Sequence, residues 1–175
     1  MEWHDLLTDG YGRVPDFLES VLDGLTKDDL NWQPRYDCNS IGWLVWHLTR
    51  QQDAQTASLM GREQLWMTDE WYAKFNRQPE PNDAGFGHSP EQVSAFKSPE
   101  AKVLLGYNRA VVEPSKQYIS NLSETDLDRE LDEPWFQPLP TVGVRLVSIL
   151  DDSILHAGQA AYVRGLRQGK GWQKY

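Results

Sequence analysis

The chain has 175 residues, the usual size of one domain and enough to bury a core. Hydrophobic residues make up 39% of it and there are eight tryptophans, which excludes a disordered chain, because such chains lack the apolar surface that offsets ordering entropy. The formal net charge is −9 and the lysines and arginines are scattered, which excludes nucleic-acid binding through a basic face.

Four long segments carry helical periodicity. The first runs from about Glu2 to Leu25, where Leu6, Leu7, Val14, Phe17, Leu18, Val21 and Leu22 recur at helical spacing. The second spans Asn39 to Met60, with Asn39 or Ser40 as N-cap and Gly61 as the stop. The third opens at Ser98-Pro99-Glu100, read as a serine cap with proline at the first helical position, and continues to about Leu122. Pro114 lies inside it and is expected to kink or divide it. The fourth runs from about Thr141 to Arg164 and is expected to stop at Gly165.

A long connection separates the second and third helices. Within it, 64–76 predicts a short helix, 79–87 (PEPNDAGFG) a loop, and Ser89-Pro90-Glu91-Gln92 a capping box before another short helix. The expected fold is all-α: a four-helix bundle with a long crossover containing short helices, one domain over 1–175. No alternating run is long enough for a sheet. Leu25-Thr-Lys-Asp-Asp-Leu30 and Leu122-Ser-Glu-Thr-Asp-Leu127 echo one another, each before a helix that carries a histidine; an internal pseudo-repeat and shared cap chemistry both account for this.

The single cysteine, Cys38, can form neither an internal disulfide nor a thiolate metal cage by itself. The N-terminal stretch, carrying Glu2, His4 and Asp5, has no signal-peptide pattern, and the apolar runs are too short to span a bilayer. A reducing cytoplasm and no membrane are therefore expected.

Of the four histidines, two stand out. His47 follows Trp43 and Leu44 by four and three residues, so it points toward an apolar face. Asp152 and His156 lie four apart on the fourth helix, on one face and one turn apart. Imidazole nitrogen and carboxylate oxygen suit zinc and related ions, and three protein ligands leave positions open for substrate. A hydrogen-bonded core histidine and an ordinary helix-surface pair explain the same spacing, so both readings stand at this level. His88 reads as a loop or cap residue, and His4 as solvated. Cys38, before the second helix, is either inert or a partly activated thiol. The aromatic set Trp43, Trp46, Trp66, Trp71, Trp135 and Phe136 reads mostly as core. Gly158 is expected to let a neighbouring helix approach closely, and Gln159 to hydrogen-bond near the metal. No phosphate-binding glycine loop and no Ser-His-Asp arrangement is legible.

At these residues the chain resembles the DinB/YfiT-like superfamily of metalloenzymes. The likeness is carried by Asn39-Ser-Ile-Gly-Trp-Leu-Val-Trp-His47-Leu and by Asp151-Asp-Ser-Ile-Leu-His156-Ala-Gly-Gln-Ala-Ala-Tyr-Val-Arg-Gly165-Leu. Within it, the chain is most similar to actinobacterial mycothiol S-transferases, on the Gly-Phe-Gly-His-Ser-Pro-Glu-Gln connection and the stretch after His156. The resemblance implies a four-helix bundle, a divalent metal (zinc, or alternatively nickel) on His47, Asp152 and His156, and transfer of a low-molecular-weight thiol, mycothiol or one similar to it, to an electrophile. It departs from the pattern at Asp152, where many members have histidine; the related mycothiol-dependent maleylpyruvate isomerases carry a carboxylate there. Gln159, Gln51 and Arg50 are the expected contacts to the thiol or the metal's surroundings. The partners expected are the small thiol and its electrophile, with a homodimer allowed by exposed apolar faces. A thiol-dependent isomerase, a metal-dependent hydrolase and a non-enzymatic binding module are the alternatives.

Overall fold

Tyr11, Val14, Leu18, Val21 and Leu22 line one side of the first helix, α1 (Trp3–Leu22), and all are buried in the computed structural model, which describes residues 1–173. Leu6 falls off that stripe and is largely exposed. A short helix, α2 (Lys27–Asn31), follows, opened by a capping box between Thr26 and Asp29. The next long helix, α3 (Ile41–Met60), is capped by Ser40, whose side chain accepts the Trp43 amide, and ends at Gly61 in the left-handed conformation. Every residue from Ile41 to Arg50 is buried, so this helix is the centre of the core. Gly42 is needed at its start: a Cβ there would lie 2.3 Å from the Ser98 side chain.

The crossover holds α4 (Leu65–Thr68), α5 (Trp71–Lys74) and α6 (Pro90–Ala95), the last opened by the predicted Ser89–Gln92 capping box. The third long helix, α7 (Ala101–Ser120), begins two residues later than a serine cap at Ser98 would place it. Ser98 is otherwise engaged: its amide donates to Asn31 and its hydroxyl to the Pro99 carbonyl. The helix also runs through Pro114 unbroken, held by buried residues on both sides of it, from Val111 and Val112 to Ser115 and Ile119. A short α8 (Glu124–Leu127) and the longest helix, α9 (Val142–Gln168), complete the set, followed by a 3₁₀ turn at Lys170–Trp172.

Gly165 does not end α9, which runs on to Gln168 with Gly169 as its cap. The Arg164 guanidinium donates to the Ser20 and Val21 carbonyls at the end of α1, tying down the last turn. Among the described residues the β structure is limited to one isolated bridge, Glu130 with Thr141. No described helix is long and apolar enough to cross a membrane.

The four long helices pack in a ring: α1 and α3 each contact α7 and α9, and sit diagonally from one another. The internal echo has a counterpart in this arrangement. α2 packs on α3 and α8 on α9, both short helices open with an equivalent capping box, and α3 pairs with α9 as α1 does with α7. The contact pattern is thus the same for the two halves, and each contributes one histidine-bearing helix to the same seam.

Candidate metal centre

The α3–α9 seam brings His47, Asp152 and His156 together. One donor atom from each lies within 4.8 Å of the others. The His47 and His156 rings meet edge to face at 4.8 Å between centroids, and Asp152 Oδ1 is 3.4 Å from His156 Nε2.

Both histidines are held in one tautomer. His47 Nδ1–H donates to the Ala84 carbonyl in the crossover loop, and its ring stacks on Trp43 at 4.7 Å. His156 Nδ1–H donates to Gln159 Oε1 over 2.8 Å. In each ring Nε2 is left to carry the lone pair. This is the arrangement by which outer hydrogen bonds orient imidazole ligands. Asp152 Oδ2 is buried with no hydrogen-bond partner. Since a buried carboxylate oxygen without a partner is costly, that atom is a further sign that the donor set fits a cation.

The crossover loop over His47 is itself clamped. Arg50 donates to the Pro81 and Asp83 carbonyls, Arg77 pairs with the Asp83 carboxylate, and His88 bridges Asp83 and the Trp43 indole N–H. Gly85 completes the loop at φ +85°, and a Cβ there would meet Trp46 at 2.8 Å, Trp43 at 2.9 Å and His47 at 3.1 Å. Both the backbone conformation and the space require glycine.

The donors lie on the wall of a cavity of about 870 Å³, within the range of small-molecule sites. Its sides come from α3, α9, the crossover loop and the 133–136 loop. Residues 11–160 match the DinB superfamily. The chain belongs to the DinB superfamily. It is also similar to a conserved protein from Enterococcus faecalis of known crystal structure, at 32% identity and a TM-score of 0.89, over 97% of this chain and 99% of that one. No match was found among curated proteins.

Within this DinB chain the remaining predicted contacts separate. Gln51 lines the cavity. Gln159 bonds His156 and lines a second groove of about 730 Å³, between α9 and the segment leading into α3, where Cys38 also lies. Arg50 does not reach the cavity: it is fully buried, and its guanidinium turns to Tyr107, Asp53 and the loop carbonyls. Gly158 does not admit a close helix, because nothing lies within 4 Å of where its Cβ would be. Trp135 and Phe136 are not core; they are largely exposed at the cavity rim. Ala84 was not legible as part of this centre, since a backbone carbonyl leaves no periodic signal, whereas Gly85 and His88 were noted only as part of the Gly85–Gln92 connection.

The two histidines titrate in opposite directions. Burial, aided by the nearby His156 and His88 and opposed by the Ala84 hydrogen bond and Asp152, holds His47 below its ordinary value. For His156 burial is the largest influence and lowers the pKa, but hydrogen bonds with Asp152 and Gln159 together with the Asp152 charge outweigh it, and the net shift is upward. On acidification His156 therefore takes a proton first, starting above its ordinary pKa of about 6.5, while His47 is still neutral. A metal must displace that proton. Divalent-metal affinity is thus expected to fall by about tenfold per pH unit below the His156 pKa, a one-proton slope. Zinc titrations between pH 5.5 and 8 check this, and a two-proton slope starting at one pH would contradict the split. In the metal-free protein the signs follow linkage. The raised His156 stabilises the fold below about pH 6.5 and loses that contribution as pH rises through its folded value, whereas the depressed His47 stabilises it above about 6.5 and loses this on acidification.

Proposed function

We propose that the protein is a divalent-metal-dependent transferase that joins a small thiol, mycothiol or one like it, to an electrophilic carbon. The observation that carries this reading is the donor triad set in the wall of an open cavity: three side-chain ligands leave coordination positions that face the cavity, as in catalytic rather than closed structural sites. His47, Asp152 and His156 would hold the ion, zinc or nickel. A divalent ion there would lower the pKa of a coordinated thiol and supply a thiolate at neutral pH.

The chain's own groups do the rest. Ala84 and Gln159 hold the two imidazoles in the ligating tautomer. Asp152 would add the anionic donor to the cation's ligands. Gln51, on the cavity wall, would hydrogen-bond the thiol's polar body. Among the described residues the cavity wall carries no cysteine and no lysine, and the hydroxyl of its serine, Ser148, is bonded to the Val144 carbonyl of its own helix, which suits a reaction whose nucleophile arrives with the substrate. In the reaction the thiol sulfur forms the new S–C bond, its proton passes to solvent, and the leaving group departs with the electron pair of the broken bond. The sequence resemblance to mycothiol S-transferases supports the choice of thiol.

Zinc- or nickel-loaded protein is expected to form a thioether from mycothiol and a fluorogenic bimane halide at least about a hundredfold faster than metal-free protein. The product is read by fluorescence and mass spectrometry. Turnover of an ester with no thiol dependence would instead identify a hydrolase.

A further inference from the structure

Among the described residues, three of the five large aromatic side chains that are strongly exposed stand around one opening. Phe86 is 88% exposed, Trp135 73% and Phe136 50%. Phe86 comes from the crossover loop and the other two from the loop before α9, yet all three line the cavity that holds His47, Asp152 and His156. Core packing does not account for them, since they bury little, and apolar surface gathered at one mouth marks a binding site.

The charge on the wall narrows what they bind. Apart from the histidines, the wall's cation is Arg145, and it is already paired with Glu133 and bonded to Gln55. The wall therefore offers no uncommitted positive charge to an anionic substrate body. Its carboxylates are Glu133, paired with Arg145, and Asp152 of the triad, and its remaining polar side chains are neutral: Gln51, Gln55, Gln64, Asn82 and Ser148. Aromatic side chains bury large areas and stack in offset or edge-on geometry on planar partners, which gives them a selective grip on flat apolar groups.

We propose that the electrophile taken by this site is uncharged and carries an aromatic or similarly flat apolar body, held at the mouth by Phe86, Trp135 and Phe136 with its reactive end toward the donor triad. This names the substrate class of the cavity and rests on reading that cavity as the substrate site. The aromatic rim is a specificity determinant that does not need the metal in order to bind.

That independence makes the test separable. Metal-free and zinc-loaded protein are titrated by calorimetry with acetohydroxamate and with 2-naphthohydroxamate, which share a chelating end and differ only in the body. The naphthyl compound is expected to bind at least about tenfold more tightly than the acetyl compound in both forms, a conservative figure for the apolar area of two fused rings partly removed from water. A Trp135→Ala/Phe136→Ala double variant is expected to reduce that preference to within about twofold in both forms. These side chains are exposed on loops, so the variant is expected to fold. Equal affinities for the two compounds in the metal-free protein would overturn the inference, as would a preference that survives the double variant. Failure of zinc to strengthen acetohydroxamate binding would count against the metal reading alone and leave the rim comparison in the metal-free protein intact.

Discussion

His156→Ala is expected to remove stoichiometric zinc from the protein, with an affinity loss greater than about a hundredfold, while the fold stays in place. The size follows from the donor count. Loss of an outer partner to a ligand commonly costs about 10–100-fold in affinity, and His156 is a proposed ligand itself, one of three. Gln159→Ala, which frees the His156 ring without removing it, is then expected within the 10–100-fold window. The cleanest variant is on α9 rather than α3. His47 is buried and stacked on Trp43, so its truncation opens a hole in the core and confuses loss of metal with loss of packing. The His156 ring lines the cavity at 15% side-chain exposure, and removing it is expected to cost about 1–2 kcal/mol, less than truncating His47. Elemental analysis after dialysis, run beside a urea unfolding curve, reads both quantities. One zinc per chain retained by a folded His156→Ala protein would end the three-ligand reading.

Much of this centre follows from periodicity, and the part that does not has a common cause. Asp152 and His156 are four residues apart on one helix, so their shared face was legible from spacing alone. α3 is different. It is buried on all sides from Ile41 to Arg50, and a helix that is apolar all round gives no face to read. His47 was recognised there because histidine is conspicuous in such a run. Arg50 was expected as a contact to the thiol or the metal's surroundings; it bears on His47 only through the crossover loop, and this was not legible because the groups that claim it, the Pro81 and Asp83 carbonyls and Tyr107, lie thirty or more residues away. The helix ends show the same effect. Gly165 carries a stop signal, but the Arg164 contacts to α1 hold the next turn in place. Ser98-Pro99 carries a start signal, but Asn31 takes the Ser98 amide. Trp135 and Phe136 were read as core on residue type alone, whereas their place is at the mouth of the cavity. Local chemistry proposes an element's limits, and long-range contacts decide between competing local signals.

Asp53→Ala is expected to give the opposite signature to His156→Ala: stability is lost and metal affinity of the folded protein is kept. Asp53 sits on α3 at 2% exposure, accepts three hydrogen bonds and faces one guanidinium. The Leu65 and Trp66 amides at the start of α4 donate to it over 2.9 and 2.7 Å, the Tyr107 hydroxyl donates over 2.6 Å, and Arg50, itself fully buried, lies 3.7 Å away. Burial and the Asp53 charge push the Tyr107 hydroxyl well above its ordinary range, with Arg50 opposing, so it remains a donor at every working pH. Truncation strands all of these at once. The dominant loss is the buried Arg50 charge, because removing one partner of a buried pair costs about 3–5 kcal/mol through the uncompensated ion left behind. Against a typical domain stability of about 5–15 kcal/mol this is a large fraction. Tyr107→Phe removes one hydrogen bond and leaves the ion pair, so it is expected to cost only about 1–2 kcal/mol. Urea midpoints rank the two, and Asp53→Asn, which keeps an acceptor for an amide but loses the charge, is expected between them. A shift below about 1 kcal/mol for Asp53→Ala would mean that Arg50 finds water or another acceptor. The loop it holds over His47 would then owe its position to Arg77 and His88 on Asp83 instead.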